Sequence, residues 1–209
     1  MKKDNPYDQR YGNKELYWGK EPSSLCAKVI EIVRPRADFR PRLIDLGCGE
    51  GRNAVYFAQN GFDVVGLDSS SVGLNKMKKN AVEARVKIEP LQADIITYRL
   101  TETYDVIFST GTLHYLPSET RSRHFKDYKD HAATNGICAF SVLVSKPFVP
   151  KAPDAEEEAY LYKSGELMSY FWDWEILHSE EEIFNCTSSG IPHKHAVNRI
   201  IAKRHQDEH

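Results

Sequence analysis

The stretch Asp45-Leu46-Gly47-Cys48-Gly49-Glu50-Gly51 places three glycines directly after a short, mostly apolar run. That run, residues 43–46, predicts a buried strand, and residues 53–60 predict a helix that ends at Gly61. Because glycine lacks a Cβ atom, the loop turns tightly and lets its backbone approach a ligand, while the next helix offers free N–H donors at its N-terminus. The sequence therefore predicts a strand–loop–helix unit whose loop binds a ligand.

The spacing of the glycines distinguishes two kinds of ligand. A dinucleotide-binding loop has the pattern G-x-G-x-x-G, whereas here the third glycine comes one residue earlier and Arg52 fills the expected place. A tighter loop with no pyrophosphate to hold suits a ligand that ends in an amino acid, and Asp45 is placed to orient its ammonium group. A nicotinamide-dependent oxidoreductase and a non-catalytic sensor remain the alternatives, since binding residues alone do not establish turnover.

Carboxylates also follow the next two predicted strands. Asp68 closes the strand over residues 62–67, and Asp94 follows the strand over residues 86–91. A carboxylate at the first place accepts hydrogen bonds from ribose hydroxyls, and one at the second reaches an adenine amino group while Ile95 packs on the ring. Each acid also has a local interpretation, as a loop cap, a helix N-cap or a turn residue. Together with the acid before the glycine loop, they favour one adenosine-containing ligand.

Strands and helices alternate over the first two-thirds of the chain, which predicts right-handed βαβ units and a mostly parallel sheet. Two late β-rich stretches, residues 174–183 and 196–202, predict an antiparallel addition at the sheet edge. We expect one α/β domain with an N-terminal aromatic segment and helix (1–41), a cofactor-binding core (42–145) and substrate-side strands (146–209). The other predicted elements are strands over 104–109 and 137–144 and helices over 25–32, 71–82, 118–133 and 166–171, the last capped by Ser164.

The composition limits the classes of partner and compartment. The chain has 28 basic and 30 acidic residues among 209, so no basic excess indicates a nucleic-acid partner. No apolar stretch approaches the ~20 residues of a membrane helix, and none follows the first residues as in a secretory signal. The four cysteines have no Cys-x-x-Cys spacing, which argues against a zinc knuckle. We expect a cytoplasmic protein with reduced thiols that binds no nucleic acid, membrane or metal.

The residues around the glycine loop resemble a known superfamily. Ile44 to Gly51 followed by Arg52-Asn53 looks like the first motif of class I S-adenosylmethionine-dependent methyltransferases, and Asp68 and Ala93-Asp94 match the second and third. This resemblance covers residues 42–145. Within the superfamily the chain is similar to the tellurite-resistance (TehB-like) methyltransferases, nearly to its end, in the segments Gly51-Arg52-Asn53, Phe62-Asp63-Val64, and Tyr162 to Leu167 leading to Trp174-Glu175.

The resemblance implies a three-layer Rossmann-like sheet of about seven strands with an antiparallel last strand. It implies S-adenosylmethionine as methyl donor, S-adenosylhomocysteine as product and a small-molecule acceptor. With the local patterns, it implies that the cofactor contacts Asp45, Gly47, Cys48, Gly49, Gly51, Asp68, Ser69, Ala93, Asp94, Ile95, Ser109 and Thr110. One departure concerns the acceptor. Asn185 and Cys186 stand where enzymes that act on tellurite have a His-Arg pair, which argues against tellurite or selenite.

The acceptor is expected beyond the fourth strand, near residues 110–115. There His114 is the candidate general base or acceptor-orienting group, with a hydrogen-bonded structural histidine as the alternative. His195, just before the last strand, is a second catalytic candidate, and His193 is expected on the surface. A metal site of His114, His193 and His195 has no zinc-like spacing, so no metal is predicted.

Aromatic residues are concentrated ahead of the first predicted helix, beginning with Tyr7. The segment is predicted either to fold over the cofactor as a lid that excludes water or to pack against the sheet. Two later tryptophans, Trp172 and Trp174, are expected in the core. The oligomeric state and the acceptor atom stay open. Four aromatic residues are candidates for the substrate side: Tyr11, Tyr17, Trp18 and Tyr115.

Overall fold

The computed structural model describes residues 5–153, 159–187 and 190–206. Within these ranges seven strands form one mixed sheet in the order β3-β2-β1-β4-β5-β7-β6, which confirms the predicted fold and its antiparallel last strand. The strands are β1 (Arg42–Leu46), β2 (Asp63–Asp68), β3 (Ile88–Gln92), β4 (Tyr104–Thr110), β5 (Ala132–Val144), β6 (Glu175–Cys186) and β7 (His193–Lys203). The helices are α1 (Pro6–Tyr11), α2 (Ser24–Val33), α3 (Arg52–Gln59), α4 (Ser71–Glu83), α5 (Arg121–Asp130) and α6 (Glu166–Ser169).

The central strand β1 determines where a ligand binds. It pairs in parallel with β2 on one side and with β4 on the other. The chain therefore leaves β1 towards β2 and β3, and then returns across β1 to form β4. In open α/β sheets the binding crevice lies at the carboxyl ends of the strands where this reversal occurs. Here that point lies between β1 and β4, beside the glycine loop that follows β1.

Helices cover both faces of the sheet, as parallel strands buried on both sides require. One core cluster joins α2, α3 and α4 to one face, with Leu25 and Phe57 among its fully buried members. The other cluster, which includes Phe125, joins α5 and the segment around α6 to the opposite face. Because side chains alternate along a strand, β1 sends Leu43 into the first cluster and Ile44 into the second. The three layers follow from this arrangement.

The strands β6 and β7 form a hairpin at one edge of the sheet, with β7 lying between β5 and β6. The strand β7 is antiparallel to both neighbours, and its pairing with β5 ends at Val144 opposite Ala196. The pairing of β6 with β7 continues past that point to Cys186 opposite His193. The hairpin tip therefore extends beyond the end of β5, at the carboxyl end of the parallel strands, where the glycine loop also lies.

The helices are shorter than several of the predictions. Residues 118–120 form a separate 3-10 turn before α5, and β5 takes the chain from Ala132 onward, so the helix predicted over 118–133 is too long. The helix α1 was not predicted; its first turn is capped by the Asn5 side chain, which accepts a hydrogen bond from the Tyr7 backbone N–H at 2.9 Å. Among the described residues, no helix combines the length and the apolar character needed to cross a membrane.

Two predictions near α6 are wrong. Gly165, not Ser164, is the N-cap, and the helix has only four residues, because the Ser164 hydroxyl accepts a hydrogen bond from Lys146 instead. Trp172 is 84% exposed and is therefore not a core residue, whereas Trp174 packs against the core cluster of α5. Because the chain turns directly after α6, Phe171 is buried in the core and the next residue, Trp172, points to solvent.

Candidate cofactor site at the glycine loop

The glycine loop lies across the carboxyl ends of β1 and β2. The backbone N–H groups of Gly47 and Cys48 both donate to the carbonyl of Leu67, at 2.8 and 2.9 Å, so the loop is fixed to the neighbouring strand. Gly47 has a φ of 80°, which side-chain-bearing residues rarely adopt. A Cβ atom there would also collide with the side chain of Thr112, in the loop that follows β4. The first glycine therefore lets the loops after β1 and β4 meet.

Asp68 connects the end of β2 to the glycine loop. Its Oδ2 accepts a hydrogen bond from the Gly49 backbone N–H at 2.8 Å, and its Oδ1 accepts one from the Ser70 N–H at 2.8 Å. Burial raises the pKa of this carboxyl, and the backbone hydrogen bonds act in the opposite direction. The N-cap of α4 is Ser70, whose hydroxyl accepts from the Gly73 N–H. The alternative interpretation of Asp68 as the N-cap is therefore wrong.

Asp45 places a carboxylate inside the protein under the glycine loop. The residue is 1% exposed, and its Oδ2 has no hydrogen-bond partner among the described residues. Burial, followed by the nearby charge of Asp68, raises the pKa of Asp45 to about 7, while Arg52 acts to lower it. A buried acceptor without a partner is costly. An incoming cationic group would remove that cost, as would a proton.

Asp94 and its neighbours form the tip of the third strand. The Ala93 N–H donates to the Asp68 carbonyl at 3.1 Å, which holds this tip beside the second. Asp94 is exposed, and its Oδ1 accepts from the Ile96 N–H at 2.9 Å, so it is a turn residue with a second carboxylate oxygen facing outward. Ile95 is half-buried against the core cluster of α5.

The end of β4 supplies the other side of the crevice. The Ser109 hydroxyl is fully buried and donates to the Leu46 carbonyl at 2.7 Å. The Thr110 hydroxyl accepts a hydrogen bond from the Asn53 amide at 2.9 Å. The Ser109 side chain is therefore closed to a ligand, whereas the half-buried Thr110 hydroxyl, which accepts from Asn53, keeps its own O–H as a donor. The Cys48 side chain also points away from the crevice, since its Sγ lies 3.5 Å from the Met77 sulfur in the core.

The N-terminal aromatic segment lies on the glycine loop and not against a face of the sheet. Tyr11 is 4% exposed, and its hydroxyl lies 2.7 Å from the position that a Cβ atom on Gly49 would occupy. The same ring would contact a Cβ atom on Gly73 of α4. Burial and the nearby Asp68 raise the pKa of Tyr11 above its ordinary value, so its phenol is neutral. Both positions must therefore be glycine, because a side chain at either one would collide with the Tyr11 ring.

Hydrogen bonds anchor the rest of this segment to the tips of β1 and β2. The Asn5 amide donates to the Ser69 hydroxyl at 2.9 Å, and the Ser70 hydroxyl donates to Asp8 at 2.5 Å. Near the other end, the Glu50 carboxylate accepts from the Tyr17 N–H at 2.7 Å and forms a salt bridge with Lys76 at 2.7 Å. The carbonyl of Trp18, a residue that is 41% exposed, accepts from Arg52 at 2.9 Å. The segment therefore covers the loop from end to end.

The comparisons with known proteins agree with this geometry. Residues 7–200, most of the chain, match the family described as "Tellurite resistance protein TehB". The chain belongs to the TehB family. It is therefore a TehB-like member of the class I S-adenosylmethionine-dependent methyltransferase superfamily, as the sequence motifs predicted.

Individual relatives are distant but cover most of the chain. A probable S-adenosyl-L-methionine-dependent methyltransferase TehB from Haemophilus influenzae is 25% identical over 173 residues, covering 83% of this chain and 59% of that protein. The chain therefore spans somewhat over half the length of that relative. The crystal structure of H. influenzae TehB superposes with a TM-score of 0.76 at 23% identity, covering 95% of this chain and 65% of that one. Magnesium protoporphyrin IX methyltransferase from Synechocystis, solved with bound S-adenosylhomocysteine, has a TM-score of 0.66 at 18% identity over 87% of this chain and 80% of that one.

In this TehB-family chain the two catalytic candidates lie on different elements. His114 is 5% exposed in the 3-10 turn over residues 113–115, its ring centroid is 4.5 Å from that of Tyr115, and its carbonyl accepts from the Tyr160 N–H at 2.7 Å. The Tyr115 hydroxyl in turn lies 2.5 Å from that of Tyr7, so the 3-10 turn after β4 meets the N-terminal segment. His195 lies on β7 beside His193, with their Nε2 atoms 2.9 Å apart.

Some residues of the site were missed from the sequence, for identifiable reasons. In the sequence Asn53 stands out only as part of the glycine motif, yet its side chain accepts a hydrogen bond from the Ser23 N–H and donates one to the Thr110 hydroxyl. Glu50 occupies a variable place in the glycine pattern, and its contacts come from residues far along the chain. Thr112 was part of the stretch expected near the acceptor, but its contact with Gly47 depends on the packing of two loops. The one signal that the sequence offers is position, since Glu50 and Asn53 stand within or beside the glycine pattern and Thr112 follows the fourth predicted strand.

Proposed function

We propose that this chain is an S-adenosylmethionine-dependent methyltransferase that acts on a small-molecule acceptor. The observation that carries the proposal is the convergence of the glycine loop, the buried Asp45 and the loop-binding Asp68 at the point where the sheet order reverses. Ligands of open α/β sheets bind at such a point. Membership of the TehB family and the fold likeness to methyltransferases support the same conclusion.

The residues around Asp45 fit the amino-acid end of this cofactor. A carboxylate oxygen that is buried without a partner suits an ammonium group, which supplies both a donor and the opposite charge. Arg52 lies close enough to Asp45 to affect its pKa, and its hydrogen bonds among the described residues come from one nitrogen, Nη1, to two carbonyls. The other guanidinium nitrogens are available to a carboxylate. A cation and an anion side by side match a zwitterionic ligand better than a pyrophosphate.

The residues at the next two strand tips fit the nucleoside end. Both oxygens of Asp68 accept one backbone hydrogen bond each, which leaves lone pairs for the hydroxyls of a ribose. The outward oxygen of Asp94 is an acceptor for an adenine amino group, and Ile95 provides apolar surface nearby. The backbones of Ser109 and Thr110 complete the crevice opposite them.

The bound cofactor supplies an activated methyl group on a sulfonium, which is transferred by in-line displacement while the sulfur keeps the bonding electron pair. The protein contributes position and alignment, which account for much of the acceleration of such reactions. The N-terminal segment over the glycine loop excludes water from the crevice. His114 is buried at the acceptor side and accepts the proton that a hydroxyl, amine or thiol acceptor loses. An acceptor that is already an anion needs no such base.

Binding calorimetry with S-adenosylmethionine, S-adenosylhomocysteine and NAD tests the cofactor. We expect binding of the first two with one site per chain and no binding of NAD, because the third glycine comes one residue earlier than in dinucleotide-binding loops and Asp45 offers an unpartnered carboxylate oxygen to an ammonium group. Tight binding of NAD with neither sulfur compound bound would replace the proposal with the oxidoreductase alternative.

A panel of acceptors with a labelled methyl donor tests the activity. Thiols, amines, phenols, selenite and tellurite cover the nucleophile classes. We expect transfer to at least one organic acceptor and none to the two oxyanions, because Asn185 and Cys186 replace the expected His-Arg pair. Cofactor binding without transfer to any member of the panel would favour the non-catalytic sensor.

A further inference from the structure

The tip of the β6–β7 hairpin brings together three residues that commonly bind metals. Cys186 lies opposite His193 in the strand register, and His195 follows two residues later on the same face of β7. One ligand atom from each, a Cys sulfur and two imidazole nitrogens, lies within 4.8 Å of the others, and all three residues are half-buried. The sequence predicted no metal site, because His114, His193 and His195 have no zinc-like spacing; the structure instead brings Cys186, and not His114, to the two histidines of β7.

The hydrogen bonds of His193 prepare one of its nitrogens for a metal. Its Nδ1 lies 2.7 Å from the Ile191 carbonyl, and a carbonyl only accepts, so Nδ1 carries the proton of the neutral ring. The Nε2 lone pair then points to the Nε2 of His195, 2.9 Å away. Metal-binding histidines almost always donate their other ring N–H to a carbonyl or carboxylate in this way. The Ile191 carbonyl therefore fixes both the tautomer and the ring orientation.

We propose that Cys186, His193 and His195 bind one zinc ion. A thiolate with two imidazoles is a ligand set that zinc prefers, with bonds of about 2.3 Å to sulfur and 2.0–2.1 Å to nitrogen. In a tetrahedral site these bonds separate the ligand atoms by about 3.3–3.6 Å. The cluster is within reach of that geometry, because the two imidazole nitrogens need to move apart by only about half an ångström. When zinc binds, the Cys186 thiol releases its proton to solvent, and the hydrogen bond that His195 Nε2–H donates to His193 Nε2 is broken. The proton on His195 Nε2 moves to Nδ1, so each imidazole presents a lone pair on Nε2 to the ion.

Three protein ligands leave the fourth position of the zinc ion to water or to another small ligand, as in zinc sites that act on substrates. The hairpin extends beyond the pairing of β5, at the carboxyl end of the parallel strands, where the glycine loop also lies. Burial at the cluster is partial, so water can reach the ion. The structure thus assigns a second ligand site to the carboxyl end of the sheet, the end at which the cofactor is proposed to bind.

Metal titration of the chain without an affinity tag tests the site directly. We expect one zinc ion per chain by calorimetry under a phosphine reductant. We also expect cobalt(II) to give a sulfur-to-cobalt charge-transfer band in the near ultraviolet together with intense tetrahedral visible bands. Cys186→Ser removes the charge-transfer band, and Cys186→Ser and His195→Gln each weaken zinc binding by at least ~100-fold, more than the 10–100-fold typical of outer-shell changes.

A histidine elsewhere on the surface serves as the matched control. His205 is exposed and lies 2.7 Å from Glu175 in a salt bridge, so His205→Gln leaves zinc binding unchanged. Binding of S-adenosylhomocysteine to each variant shows that the fold is retained. Cobalt binding without the charge-transfer band, or zinc binding of equal strength in the wild type and in Cys186→Ser, would overturn the proposal and leave the cofactor site unaffected.

Discussion

At the scale of single residues, Asp45 links cofactor binding to pH. Its pKa is raised to about 7, first by burial and then by Asp68, with Arg52 acting against them. The buried Cys26 also faces this carboxyl. Binding of a cationic ammonium group favours the ionised carboxylate, so binding releases a proton wherever the free carboxyl is protonated. We predict that affinity for S-adenosylhomocysteine rises as the pH increases through about 7 and then levels off until the ammonium group of the ligand loses its own proton, as calorimetry at several pH values will measure.

The variant Asp45→Asn is the control for this prediction, because its amide does not titrate. Its affinity is lower and lacks the pH dependence; a slope of equal size in the variant would assign the proton to another group. The sign for stability is opposite to that of binding. Since the folded pKa lies above the unfolded value of 3.8, Asp45 destabilises the cofactor-free fold increasingly as the pH rises between the two values, and fully above about 7.

Asp68 gives a second prediction at this scale. Asp68→Ala removes the acceptor of the Gly49 N–H and the proposed acceptor of the ribose hydroxyls. We expect affinity for S-adenosylhomocysteine to fall by ~1–3 kcal/mol, the range for hydrogen bonds to charged groups, as measured by calorimetry.

The matched control for Asp68 is Asp63→Ala, at the other end of β2. Asp63 is exposed and forms a surface salt bridge with Arg40 at 3.1 Å, so its removal leaves the affinity unchanged. Equal affinity of Asp68→Ala and the wild type would place the ribose elsewhere.

At the scale of the elements, Arg121 joins α5 to the segment before α6. Its guanidinium is 1% exposed, lies over the Tyr162 ring at 3.6 Å, and forms a salt bridge with Glu166 at 2.5 Å. It also donates to the carbonyls of Leu116 and Tyr160. One side chain therefore satisfies acceptors from three separate parts of the chain.

We predict that Arg121→Ala lowers the free energy of unfolding by ~3–5 kcal/mol, because it leaves the carbonyls of Leu116 and Tyr160 without this donor and Glu166 without its cation. Urea denaturation will measure the change. Arg123→Ala, at an exposed position of the same helix, is expected to stay within ~0.5 kcal/mol of the wild type. A similar loss of unfolding free energy in the two variants would show that any substitution in α5 destabilises the fold, and that the buried guanidinium has no special contribution.

The N-terminal segment gives a second prediction at the scale of elements. Tyr11→Ala removes the ring that lies against Gly49 and Gly73. We expect faster dissociation of S-adenosylhomocysteine, by about tenfold or more, and weaker protection of the glycine-loop amides in hydrogen exchange. Tyr56→Ala, which removes a half-buried tyrosine of α3 that packs with the cluster of α2 to α4, is the control. An unchanged dissociation rate in Tyr11→Ala would show that this segment only packs against the loop and does not act as a lid over the cofactor.

The elements differ in how far the sequence predicts them. The strands β1 to β4 and the helices between them were predicted to within a few residues, because apolar runs alternate there with helical periodicity and end at glycine or a capping serine. The helix α1 has six residues and no repeating apolar pattern, so its position depends on contacts with the loops after β1 and β2. The lengths of β6 and β7 depend on pairing with each other, which no local signal specifies.

At the scale of the whole molecule, the candidate site combines predictable and unpredictable parts. The acids at three strand tips were predictable, since parallel strands bring their carboxyl ends to one edge. The contact of Tyr11 with Gly49 and the partnership of Cys186 with His193 were not. Each contact joins parts of the chain that only tertiary packing or strand register brings together. Such contacts appear only when the tertiary structure is known.

The site is built from the N-terminal segment, three strand tips and the loop after β4, so a bound cofactor connects elements from much of the molecule. A ligand that binds only the folded state at a concentration of 100 times its Kd stabilises it by about 2.7 kcal/mol. For a chain of 209 residues, each kcal/mol corresponds to about 2–4 °C in Tm, which gives a rise of roughly 5–11 °C with S-adenosylhomocysteine. Differential scanning calorimetry will measure it, with NAD at the same concentration as the control. A rise of equal size with NAD would mean that the crevice recognises adenosine alone and that the Asp45–Arg52 pair contributes nothing to the choice of ligand.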